Sequence, residues 1–128
     1  MAESQTNNRA IARNADADLS GKQYHIVRLT ANKGTNLASL ATTSAIGGVL
    51  QTVSSSGDRA TVAYAGISKV VVGAAVSELD VFTTNSSGRA IAIGSGQMAV
   101  GRALEAAGAD GEVITALIFP PFRWSGAA

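Results

Sequence analysis

Short apolar runs alternate with clusters of glycine, serine, asparagine and aspartate along most of the chain, most regularly over residues 78–119. There, apolar runs around Val81-Phe82, Ala90-Ile91-Ala92-Ile93, Met98-Ala99-Val100 and Val113-Ile114 are cut by three polar clusters. These are Asn85-Ser86-Ser87-Gly88, Gly94-Ser95-Gly96 and Gly108-Ala109-Asp110-Gly111. Glycine and asparagine tolerate positive φ, so each cluster is a place for the chain to reverse. The spacing predicts an antiparallel meander, with a hairpin over 78–93 and two strands within 97–119.

The same reading extends upstream. A strand is predicted over 23–30, opened by Gly21 and closed by Asn32-Lys33-Gly34. His25, Val27 and Leu29 share one of its faces, and Tyr24, Ile26 and Arg28 the other. Further strands are expected over 47–53, 59–65 and 67–72, with a turn at 54–58 and a sharp bend at Gly66. Their Val, Ile, Thr and Tyr suit a pleated, half-buried surface. Residues 35–45 read either as a helical turn or as an irregular crossing. The expected fold class is all-β, a small antiparallel β-barrel or meander.

The two ends break the pattern. Residues 1–18 are polar and rich in Asn, Ala and Arg, and read either as a disordered tail or as an extended arm that orders on a partner. Arg9 and Arg13 are four apart and would share one face of a helix ending near Asp16 and Asp18. At the other end, Pro120 and Pro121 are expected to stop the ladder. Phe122 and Trp124 then either fold back over the barrel or face a partner. The expected organisation is an arm at 1–18, a β-barrel domain at 19–119 and a Pro-rich tail at 120–128.

Several strands are apolar or small on both faces. Ile91 and Ile93 oppose Ala90 and Ala92, while Ile114, Ala116 and Ile118 oppose Val113, Leu117 and Phe119. A sheet wet on one side alternates more cleanly, so a neighbouring subunit is expected to cover part of the outer surface.

Composition narrows the function classes. At 128 residues one domain is expected, and with 46% hydrophobic but 5% aromatic residues its core must be thin layers of Ala, Val, Ile and Leu. A net charge of +1 gives no footprint for duplex nucleic acid. The absence of cysteine excludes disulfides, thiolate metal sites and thiol nucleophiles. No apolar run approaches a membrane span, and the start of the chain lacks the apolar segment of a signal peptide, so synthesis in the cytoplasm is expected.

Gly94-Ser95-Gly96-Gln97-Met98-Ala99 has the G-x-G-x-x-A spacing of a dinucleotide-binding turn. Gly101 would sit inside the helix such a site needs, and Phe119-Pro120 falls where a ribose-binding acid would stand. A strand-to-strand turn is the expected reading, and a nucleotide-binding α/β fragment the less favoured one. His25 is the sole histidine and has no acid or nucleophile beside it in sequence. Glu78, Asp80, Glu105, Asp110 and Glu112 lie in or beside turns. No catalytic residue, cofactor or metal ligand is expected, and the chain reads as no enzyme.

Val81-Phe82-Thr83-Thr84-Asn85-Ser86-Ser87-Gly88-Arg89-Ala90, then Val100-Gly101-Arg102-Ala103-Leu104-Glu105-Ala106-Ala107 and Gly111-Glu112-Val113-Ile114, resemble the capsid-cement (head-decoration) proteins of tailed bacteriophages. Asp18-Leu19-Ser20-Gly21-Lys22-Gln23-Tyr24-His25 is similar to the start of a cement-protein barrel. The long N-terminal stretch and the Pro-Pro-Phe-Arg-Trp end depart from that pattern. The resemblance implies a structural virion protein on the outer surface of the expanded capsid, bridging neighbouring major capsid protein subunits. It also implies self-association as a dimer or trimer, with no direct contact to nucleic acid or membrane. Arg9, Arg13 and Asn14 are the candidate capsid-binding residues. Phe122, Arg123 and Trp124 are candidates for self-association or capsid contact. Another small β-barrel virion or tail component is the alternative.

Overall fold

The computed structural model describes residues 8–39 and 45–124, which form strands and turns with no helix. The strands are β1 (Asn8–Ala15), β2 (Ile26–Thr30), β3 (Gly34–Leu37), β4 (Ile46–Leu50), β5 (Arg59–Val71), β6 (Val81–Thr84), β7 (Ala90–Ala92), β8 (Met98–Ala103) and β9 (Val113–Arg123). A closed ring runs β1-β3-β2-β4-β5 and back to β1. From β5 the sheet continues through β9, β8 and β6 to β7. The chain is thus an all-β barrel with a sheet extension. Five pairings depart from a plain meander, namely β1–β3, β1–β5, β2–β4, β5–β9 and β6–β8, and of these β1–β3 is parallel.

One strand belongs to both parts. Residues 59–66 pair with β1, and residues 66–71 with β9. Gly66 is the joint, in register with Asn8 on one edge and with Ile118 on the other. Its φ of 106° is open to glycine and strained for other residues. The two strands expected on either side of Gly66 are therefore one continuous strand.

Successive side chains of a strand point to opposite faces, and here each face of the ring wall has its own core. Val27, Leu50, Ala60 and Val62 gather with Ala15 and Leu19 in a small cluster. Their neighbours Ile26 and Val49 join a larger one with Val70, Phe82, Val100, Ile114 and Ile118. Phe82 is the largest fully buried side chain of the described residues. Burying an aliphatic or aromatic side chain of this size is worth about 1.5–3 kcal/mol, which places most of the hydrophobic stabilisation beneath the sheet extension.

Both expected ends are corrected. The arm expected at 1–18 does not stand apart, because Asn8–Ala15 is β1 and closes the barrel between β5 and β3. Its Ala, Asn and Arg have little intrinsic strand preference, so the conformation comes from its two neighbours. Residues 1–7 lie outside the described residues. Nor does the ladder stop at the prolines. β9 runs to Arg123, with Ala99 opposite Phe122 and Met98 opposite Arg123. The register shifts between Ala99 and Gly101, so Pro120 and Pro121 sit at a bulge, where their missing N–H groups break no ladder bond. Of the undecided stretch at 35–45, residues 35–37 complete β3, while 40–44 lie outside the described residues.

Candidate functional site

The closure of the barrel by β1 creates a cleft of about 270 Å³ lined by Ala12, Arg13, Asn14, Lys33 and Arg59. β1 supplies the first three, the turn between β2 and β3 supplies Lys33, and β5 begins at Arg59. Asn14 holds them together, since it registers with Gly34 on one side and Arg59 on the other. Its N–H also donates to the Lys33 carbonyl at 2.8 Å.

The charges of this cleft are unevenly used. Arg13 is half-buried and fastens the barrel: its Nε donates to the Gly34 carbonyl at 3.1 Å and its Nη2 to the Thr30 carbonyl at 2.9 Å. Two nearby carboxylates are engaged elsewhere. Asp16 accepts from the Thr30 hydroxyl, and Asp58 accepts from the Ser55 N–H at 3.1 Å. Lys33 and Arg59 make no side-chain hydrogen bond or ion pair with any other described residue; the ion pair found among those residues joins Arg89 to Asp110. The cleft therefore presents two cationic side chains without a direct ion-pair partner among the described residues, over a small, mostly polar floor.

The structure brings Arg13 and Asn14 into this one place but not Arg9, which lies exposed farther up β1, opposite Ala65. Lys33 and Arg59 escaped the sequence reading. Lys33 was visible there only as part of a turn, and Arg59 only as the start of a strand. Their proximity depends on β1 pairing, which no local pattern announces.

The second candidate set forms an aromatic row at the end of β9. The Phe119 and Phe122 rings are 5.3 Å apart and those of Phe122 and Trp124 are 6.2 Å apart, both pairs tilted. Phe122 is 47% exposed. Arg123 is turned to local use, donating from Nη1 to the Gly96 carbonyl at 2.6 Å. Along the outer face of β9, Val113 and Leu117 are also exposed, while Ile114, Ala116 and Ile118 face the core. That division is the one expected from the sequence.

Other chemistry-bearing residues have local partners. Gly94-Ser95-Gly96 is the turn from β7 to β8, with the Gly94 N–H donating to Gln97 Oε1 at 2.6 Å. Asp80, Glu105 and Glu112 accept backbone N–H groups of Ser77, Thr115 and Gly108. His25 is 5% exposed, and its Nε2 has no hydrogen-bond partner among the described residues. Burial holds its imidazole below the ordinary range, aided by the cations of Lys22 and Arg89 and opposed by a 3.3 Å contact of Nδ1 with the Gln23 carbonyl.

No protein-family model and no curated protein matches this chain. Among solved structures, it is similar to the head fiber gp8.5 N base of bacteriophage phi29, with a TM-score of 0.67 and 19% sequence identity. The match covers 88% of this chain and 94% of that one. At this identity the likeness is of the fold alone.

Proposed function

We propose that this protein is a structural component of a phage virion, seated on the outer surface of the expanded head. There it stabilises the shell by bridging neighbouring major capsid protein subunits. The observation that carries the reading is the fold shared with a head fiber base over nearly the whole length of both chains. The cement-protein resemblance of 81–90, 100–107 and 111–114 supports the same location by an independent route. A protein that binds the expanded lattice and not the compact one stabilises the former by linkage. Two contacts on adjacent subunits gain further from effective concentration.

Self-association belongs to this reading. Val113, Leu117 and Phe122 give β9 exposed apolar surface of the kind that a second copy covers. The role is mechanical, with no catalysis and no cofactor. Co-sedimentation with compact and expanded heads in parallel tests it. Saturable binding to expanded heads alone is the expected result. Binding to tails and to neither head form would replace this reading with that of a tail component.

A further inference from the structure

We infer that the cleft lined by Ala12, Arg13, Asn14, Lys33 and Arg59 is a recognition site for an acidic peptide segment, presented by the protein on which this chain docks. The inference rests on the head-surface reading for where that segment resides, and on the cleft itself for its chemistry.

The first support is charge. Three cationic side chains line one small cleft, and two of them, Lys33 and Arg59, make no ion pair with any described residue. Like charges gathered without partners repel one another, so their arrangement favours an anion entering from outside. Arg13 is already positioned by the two carbonyls it holds. A carboxylate arriving there meets a preorganised donor and forms charge-assisted hydrogen bonds.

The second support is backbone strain at Lys33. Asn32 and Lys33 have φ of 61° and 62°, and the Gly34 N–H reaches the Ala31 carbonyl at 3.2 Å. That is a type I′ turn, which prefers Asn followed by Gly. The glycine instead stands one position later, where a Cβ would overlap Asp16 Oδ1 and Thr30 Oγ1 and disturb the Thr30 hydroxyl's bond to Asp16 Oδ2. A lysine therefore occupies the left-handed position. Strain retained at a charged, unpaired residue points to a use for that residue.

The third support is size and setting. About 270 Å³ with Ala12 on its wall admits one or two carboxylate side chains. No aromatic ring lines it for base stacking, and a net charge of +1 supplies no wider basic field to follow a nucleic-acid backbone. A short acidic segment of a protein fits these limits.

The experiment follows backbone amide resonances of the full chain during titration with hexaglutamate, with inorganic phosphate in parallel. Two variants, Lys33→Gly and Lys33→Gly/Arg59→Gln, are titrated alongside. Saturable shifts at Ala12, Asn14, Lys33 and Arg59 that vanish at high salt are expected, with affinity at least about tenfold weaker in the double variant. Shifts that are scattered or unsaturable, or an unchanged affinity in a folded double variant, would overturn the site. Saturation by phosphate at lower concentration than by hexaglutamate would overturn the peptide assignment in favour of a free oxyanion. Expanded heads separate the two readings. If wild type binds hexaglutamate but not heads, the cleft stands and the docking reading falls. If both variants lose hexaglutamate yet bind heads as wild type does, the cleft is not the docking site.

Discussion

The ring and the sheet extension share β5 and are built on different terms. Beneath the extension lies the larger core, with Phe82 at its centre and Ile26 and Val49 reaching it from the ring wall. Inside the ring, Ala15, Leu19, Val27, Leu50, Ala60 and Val62 form a smaller one. Closure of the ring by the β1 ladder is reinforced by polar contacts at its rim, Arg13 to two carbonyls and Thr30 to Asp16. The extension is a hydrophobic framework; the rim is a latched edge with charge to spare. On the docking proposed above, the groups that stabilise the extension are separate from those of the recognition cleft, and Arg13 alone serves both the latch and the cleft.

That contrast is breakable by mutation. The largest effect is expected from Phe82→Ala, which empties the framework core at a cost of about 3–5 kcal/mol, read by chemical denaturation. Arg13→Ala removes both donors of the latch and is expected to cost about 1–3 kcal/mol. Hydrogen exchange should then quicken in β1 and β3 while β6, β8 and β9 stay protected; a uniform loss of protection would merge the two regions into one. Lys33→Gly relieves the left-handed backbone and is expected to raise stability by about 1 kcal/mol, while weakening any anion bound in the cleft. An unchanged or lower melting temperature would remove the strain argument.

The smallest effect is confined to acid. The pKa of His25 is lowered in the folded state from 6.5, chiefly by burial. The unfolded chain thus binds more protons between the two values. Stability from the neutral imidazole is complete above about 6.5 and falls as pH drops toward the folded value. His25→Gln should flatten that limb of the stability profile. A slope of the same steepness in the variant would assign it to other groups.

What could be read in the sequence divides along the same line. The strands of the extension were legible because each is a run of β-branched or small apolar residues between glycine-bearing turns, as at Val81–Thr84 and Met98–Ala103. The closure of the ring was not. Asn8–Ala15 reads NRAIARNA, which no local preference assigns to a strand; only β5 and β3 do so. Proline in β9 misled for a related reason, since the bulge that tolerates it is a property of the pairing with β8. Of the site, Arg13 and Asn14 stood out as part of a basic, polar stretch. Lys33 and Arg59 reach them only through long-range pairing. The displaced glycine of Asn32-Lys33-Gly34 was the one local clue.

Docking through the ring's rim is tested most directly by hydrogen–deuterium exchange on the free protein and on the protein bound to expanded heads. The expected result is added protection at Asn8–Ala15, at the 31–34 turn and at Arg59, with the interior strands β6 and β8 unchanged. Protection confined to β9 and its aromatic row, with the rim exchanging as in the free protein, would contradict it and move the contact to β9.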